Sequence, residues 1–319
     1  MDLILLPALV ISFFVAAVTG AVSIPVAMAP AVGSNTTGVM RAAFLVGIFG
    51  FLGAVALGAG VASGIGSNIV NGELQLATTV IALFVIGFYV ALGLIKEYPI
   101  PAAFTSFGSV AGAGIAQGLT PNMGYWTTAF VSWIGMGVAA IIISWVLTVA
   151  LRRYVEKTDR SVSVMEKIIL FSGIVFAFIG GGSQVGLAVG PLVAPFTDLG
   201  YGITPLLAFG GLGLLVGAWV RSPVMLNAVG RQYSDMGTRT SISILFSAIP
   251  LVQIVANVLG VPVSFNQIII NSIMGSGFAG DGSSVDKKRM AYTVGAWIAS
   301  LFASFGTAYG IYYVVFDVV

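Results

Sequence analysis

The sequence predicts an all-α polytopic membrane protein made of two homologous, inverted repeats, with broken or re-entrant helical segments at its centre and roughly ten membrane elements. Three observations carry this expectation. Of the 319 residues, 58% are hydrophobic and only 8% charged, against about 25% charged in a soluble domain, so most of this surface cannot face water. The charges are also clustered: none lies between Asp2 and Arg41, Arg41 and Glu73, Glu97 and Arg152, or Arg239 and Asp281. Each gap exceeds the ~20 apolar residues that one bilayer span requires. Finally, a Gly/Pro-broken stretch occurs twice. Gly20, Ala27, Pro30 and Val32 recur as Gly181, Ala188, Pro191 and Val193, an offset of 161 residues. A second pair follows, in which Pro99, Ser109, Gly112, Gly114 and Ala116 recur as Pro262, Ser272, Gly275, Gly277 and Ala279, an offset of 163. Interrupted apolar segments at corresponding places in two halves point to a binding site between the repeats.

The elements follow in order. Leu3 to Met40 is uncharged and longer than one span, and Gly20, Pro25, Pro30 and Gly33 interrupt it. The expectation is a helix to about Val18, a broken or re-entrant segment, and a second helix from about Arg41 to Ala62. The start lacks a basic region and a cleavage site, which reads as a retained first helix rather than a signal peptide. A polar connection at 64–73 precedes a span over Leu76–Ile95, closed by Lys96-Glu97. Pro99 and Pro101 then open a Gly/Ala/Ser-rich stretch to about Gln117, read as broken. Tyr125–Leu151 is the next span. The polar segment 152–167, with Arg152, Arg153, Lys157, Arg160 and Lys167 against Glu156, Asp159 and Glu166, is expected as a cytoplasmic linker loop between repeats 1–151 and 168–319.

The second half begins with a span from about Ile168 that runs into the second copy of the motif. Thr204–Val220 is a span closed by Arg221, and Arg231, Asp235 and Arg239 mark a turn before the span Ile242–Leu259. Pro262–Gly280 is the partner of Pro99–Gly118. A charged loop from Asp281 to Arg289 leads to a last span ending near Val315. Arg221, Arg231 and Lys287 to Arg289 read as interfacial charges. Gly275 to Gly280 fits G-x-G-x-x-G but lacks the strand–turn–helix setting of a dinucleotide site.

Composition also removes chemistries. With no Cys and no His there is no disulfide, thiolate, imidazole base or Cys/His metal site. No constellation for catalysis is visible, so no enzyme activity, cofactor or metal is expected. A net charge of +2 reflects loop residues and gives no reason to expect a nucleic-acid partner.

Gly20 to Ser34 and Gly181 to Val193 resemble the twin signature of the inorganic phosphate transporter (PiT) family, G-A-N-D-x-A-N-x-x-G-P. Val261 to Ala279 resembles that family's P-V-S-T-T-H-x-x-V-G-S-x-x-G-x-G-L-A, and Pro99 to Ala116 is a more degraded copy. The departures matter. Val22, Ser23 and Val26, then Ser183, Gln184 and Leu187, stand where the family carries Asn-Asp and Asn, so both acidic residues are gone. The resemblance implicates those Asp residues in cation coordination, and their loss argues against the usual sodium coupling. It also leaves donors where an acceptor would be. Fully ionised sulfate has no proton to donate, and an adjacent carboxylate would only repel it: two unit charges about 4 Å apart at an effective dielectric near 20 repel by roughly 4 kcal/mol. The chain therefore looks like the family's sulfate-permease branch. The resemblance further implies a homodimer in the cell membrane.

The expected site holds the anion at half-helix N-termini. Gly20, Gly181 and Gly182 would let backbone approach it, and Ser23, Thr105, Ser183, Gln184, Ser264, Asn266 and Gln267 would donate hydrogen bonds, most of them from the second half. The same residue types also serve helix packing and backbone bonding. Sulfate transport by alternating access is the first reading. Phosphate transport, a facilitative anion channel, and a scaffold that has lost its site are the alternatives.

Overall fold

The computed structural model describes residues 4–155, 158–279 and 285–316. Glu156, Lys157, Gly280 and Asp281, expected in polar connections, lie outside them. The first half comprises α1 (Leu5–Val22), a 3₁₀ turn (Ile24–Met28), α2 (Ala29–Gly33), α3 (Val39–Leu57), α4 (Ala59–Ser67), α5 (Leu76–Lys96), α6 (Ala102–Ala116) and α7 (Met123–Tyr154). The second comprises α8 (Asp159–Val189), a 3₁₀ turn (Gly190–Leu192), α9 (Val193–Thr197), α10 (Ile203–Arg231), α11 (Thr238–Val252) with a π-helical turn (Gln253–Val258), α12 (Phe265–Phe278) and α13 (Lys287–Phe316). A two-stranded antiparallel ribbon, Val70–Asn71 with Thr120–Pro121, ties the loop before α5 to the loop before α7.

Eight of the described helical segments are long and apolar enough to cross a membrane. This is a multi-pass membrane protein. The two remaining buried helices, α6 and α12, have 15 and 14 residues, about 21–23 Å at 1.5 Å per residue, too short for a hydrocarbon core of about 30 Å. In each half a helix runs into a proline-bearing 3₁₀ turn and a short helix. Proline lacks the amide that the next α-helical bond requires, which ends the helix there.

Four expectations change. Most of the polar segment 152–167 is helical among the described residues, rather than a loop. Arg152 and Arg153 form the last turn of α7, and Thr158 caps α8, accepting from the Ser161 amide at 3.2 Å while Ser161 Oγ accepts from the Thr158 amide at 3.0 Å. Cations at a helix C-terminus and Asp159 at an N-terminus complement the helix dipoles, so this charge pattern marks two helix ends. Arg221 does not end its span either. Helix α10 continues to Arg231 with Pro223 inside it, and Asn227 Nδ2 donates to the Pro223 carbonyl at 2.9 Å. The stretch after Pro101 is an unbroken helix, α6, because its small residues let α13 approach closely. A Cβ at Gly108 or Gly112 would run into the backbone of Leu301 or Phe305. Last, α4 carries helix through to Ser67, into the expected connection, after a break at Gly58.

The halves interlock. Helix α1 packs on α10 and α3 on α8 and α10, while α6 lies against α13 and α12 against α7. Each half-length helix thus rests on a full span of the other half. Side chains close the chain breaks in the same reciprocal way. Ser241 Oγ of α11 donates to the Pro30 carbonyl at 2.9 Å, and Thr79 Oγ1 of α5 donates to the Pro191 carbonyl at 3.4 Å.

Candidate functional site

The two half-length helices begin beside one another. Asn266, in the first turn of α12, donates through Nδ2 to the Ile100 carbonyl at 2.9 Å, one residue before the Pro101 that caps α6. The N-terminus of each helix carries roughly half a positive charge from its aligned peptide dipoles. Helix α12 is placed by its first side chain: the Phe265 ring stacks on Phe176 of α8 with centroids 4.3 Å apart, over the space left by Gly180. Ser264 fixes where α12 starts, its Oγ accepting from the Gln267 amide at 3.1 Å.

The approaches to both helices are largely buried, non-helical backbone, where a carbonyl needs a donor. The three carbonyls nearest each helix have one. In the first approach, Trp297 Nε1 donates to Pro99 at 3.0 Å, Asn266 to Ile100, and the Phe104 and Thr105 amides to Pro101. In the second, Trp133 Nε1 donates to Pro262 at 2.8 Å, Gln184 Nε2 to Val263 at 3.3 Å, and the Ile268 amide to Ser264 at 3.1 Å. The carbonyls of Pro99, Ile100 and Pro101, and of Pro262, Val263 and Ser264, are thus all engaged.

The expected site residues divide accordingly. Ser183, Gln184, Ser264 and Asn266 are brought together around the two approaches. Gln184 spends its amide on Ser183 Oγ at 3.0 Å and on Val263, and Ser183 donates to Gly180. Ser23 is buried at the end of α1, where the following 3₁₀ turn packs on α8 and α12, and its hydroxyl has no partner among the described residues. Thr105 turns back onto the Ala102 carbonyl at 3.0 Å. Gln267 points to α7 and donates to the Trp133 carbonyl at 3.0 Å.

Gly20, Gly181 and Gly182 stand at helix contacts. All three lie inside continuous helices, so their amides are taken by the helical ladder. A Cβ at Gly20 would strike the Leu214 backbone, one at Gly181 the Gly50 backbone, and one at Gly182 the Leu57 side chain. These glycines allow helices to touch. The second half is also not the main source of free donors here, because its amides are committed to carbonyls.

Uncommitted donors remain. The amides of Ala102, Ala103, Phe265 and Asn266, in the first turns of α6 and α12, find no acceptor among the described residues. Nor do the buried hydroxyls of Thr19, Ser23, Ser106 and Ser109. Thr19 and Ser106 carry no signal in the sequence, since an isolated hydroxyl in an apolar helix gives none until its lack of a partner is seen, and Ser109 stands out there only as a repeat position matched by Ser272. No ionisable side chain lies on α6, on α12 or in segments 19–33 and 181–193. Such a constellation can bind an anion through neutral donors, and it contains neither a base nor a cation ligand of negative charge.

Comparison with known proteins follows this geometry. Residues 19–308 match the profile of the Phosphate transporter family. The sulfate permease CysP of Bacillus subtilis (strain 168) is 28% identical over 320 aligned residues, covering 95% of this chain and 86% of its own length. The sodium-dependent phosphate transporter 1 of Homo sapiens is 28% identical over 133 residues, 39% of this chain and 19% of its own. The chloroplastic inorganic phosphate transporter 2-1 of Arabidopsis thaliana is 26% identical over 41% of this chain and 24% of its own length. A solved structure described as the sodium-dependent phosphate transporter superposes with a TM-score of 0.87 at 20% identity, over 99% of this chain and all of that one. At that identity the likeness concerns the fold alone.

Proposed function

The chain belongs to the phosphate transporter family, and from that premise we propose that it is a permease for a tetrahedral inorganic oxyanion, sulfate first, working by alternating access in the cell membrane. One observation carries the choice of sulfate. The segments around the paired helix N-termini hold uncommitted amides and hydroxyls, with the side-chain oxygens of Asn266 and Gln267 as neutral acceptors, and not one carboxylate. Hydrogen phosphate gains from a carboxylate that accepts its proton, whereas sulfate has no proton to offer and is repelled. Binding through neutral donors also suits a carrier, which must release its cargo. The similarity to a sulfate permease along most of both chains agrees with this reading.

In this reading the first-turn amides of α6 and α12 and the hydroxyl of Ser23 contact the anion. Ser183, Gln184, Ser264 and Asn266 hold the two approaches around it, and 1–151 and 168–319 act as inverted repeats that exchange shape during the cycle. The reciprocal bonds between the halves support that last point. A second reading, phosphate as cargo, is favoured by relatives whose names carry phosphate.

The deciding experiment is uptake of radiolabelled sulfate into proteoliposomes, with phosphate as competitor and with sodium or proton gradients imposed in turn. Saturable sulfate uptake, insensitive to a sodium gradient and to excess phosphate, is expected. Sodium-driven phosphate uptake would replace the first reading with the second. Flux that never exceeds equilibrium under any gradient would identify a facilitative channel.

A further inference from the structure

The two indole bonds that cap the approaches are related to one another. Trp133 of α7 holds Pro262, at the approach to α12, and Trp297 of α13 holds Pro99, at the approach to α6. The tryptophans are 164 residues apart and the prolines 163, so one bond is the counterpart of the other with the halves exchanged. Both rings are 3% exposed. Trp133 also packs against Phe104 of α6, with ring centroids 4.3 Å apart.

From this geometry we propose that Trp133 and Trp297 are positioning residues of the oxyanion site, each holding the entrance of the other half's half-helix. The proposal rests on the permease reading. Neither indole contacts the anion. Each pins a buried carbonyl that would otherwise be free to swing toward the positive end of a half-helix, where it would compete with the anion for the first-turn amides. A buried carbonyl deprived of its donor is expensive to leave bare and will seek those amides. The bonds are therefore devices for keeping the amides empty. A full span of one half thereby governs the site element of the other, a coupling that any exchange of shape between halves must respect.

The test uses Trp133→Phe and Trp297→Phe, which keep an aromatic ring and remove the N–H. The chain has no cysteine, so single reporters can be added cleanly at the counterpart positions, Ile100→Cys and Val263→Cys. Trp297→Phe is expected to speed modification of Ile100→Cys by a membrane-impermeant maleimide several-fold and to leave Val263→Cys unchanged. Trp133→Phe is expected to do the reverse. Acceleration in the tryptophan's own half, in both halves or in neither overturns the proposal. In sulfate uptake each variant should raise KM about tenfold, the worth of one hydrogen bond, with maximal rate per folded protein kept. Reduced rate at unchanged KM would mean a merely structural role and also overturn it. A wild-type protein that moves no oxyanion would sink the permease reading, while the labelling pattern still decides the latches.

Discussion

At the residue scale the site is governed by how amide groups are spent. Gln184 carries two donor hydrogens, and both are engaged, one on Ser183 Oγ and one on the Val263 carbonyl. Gln184→Leu keeps the volume and frees that carbonyl, so sulfate KM should rise about tenfold through loss of one bond beside the anion. Uptake measurements giving an unchanged KM would show that the Val263 oxygen does not reach the site. Ser264 acts differently. Its hydroxyl caps α12, and Ser264→Ala should lower stability by about 0.5–2 kcal/mol. The readout is the thermal transition in detergent, where an unshifted midpoint would count against the cap. The sequence marked both residues as polar groups in an apolar segment that need partners. It could not tell whether those partners were the anion or the backbone, because that depends on a helix and a loop brought together from positions 79 residues apart.

At the scale of elements, small residues decide which helices meet. Gly181 of α8 lies on the Gly50 backbone of α3, and Gly20 of α1 on Leu214 of α10. Both were legible as repeated glycines. Their role was not, since a glycine that admits a ligand and one that admits a helix look alike in one dimension. Gly181→Ala should cost about 1–3 kcal/mol by forcing α3 and α8 apart, seen as a lower melting temperature and loss of monodisperse protein. Gly306 of α13 has open space where its Cβ would go, and Gly306→Ala should be neutral or stabilising by up to about 1 kcal/mol. Equal behaviour of the two variants would refute the packing role. The spans themselves were readable because charges flank them. The junction at 152–167 was misread because a loop and two charged helix ends share a composition, and only the Thr158–Ser161 capping pattern separates them. Trp133 and Trp297 went unremarked because they fall outside both motifs, although their spacing of 164 residues matches the repeat.

For the whole molecule, interlocked halves and a charge-free centre belong together. Charges are kept to the rim, where Arg289 lies between the rings of Tyr98 and Tyr233 at 5.1 and 5.0 Å and donates to the Glu97 carbonyl at 2.8 Å, linking the approach to α6 with the turn before α11. Burial raises the pKa of the Tyr233 phenol, which keeps that link neutral on the tyrosine side. In the proposed permease, selectivity between oxyanions then has to come from protons. A site of neutral groups accepts sulfate without charge repulsion and offers hydrogen phosphate only neutral acceptors, hydroxyls and the amide oxygens of Asn266 and Gln267, in place of a carboxylate. Restoring one carboxylate by Ser23→Asp should reverse this. Two unit charges about 4 Å apart repel by roughly 4 kcal/mol at an effective dielectric near 20, so a carboxylate there should cost the sulfate dianion at least about a thousandfold in affinity. Protonation as pH falls would remove its charge, so sulfate affinity should be lost at pH near 8 and recover in part toward about pH 5.5. Phosphate uptake should suffer less, since its proton can bridge to the new carboxylate. Competition uptake at the two pH values tests this directly. Sulfate affinity that is undiminished near pH 8 would mean that the anion is held far from Ser23, and the neutral-donor account of selectivity would fall with it.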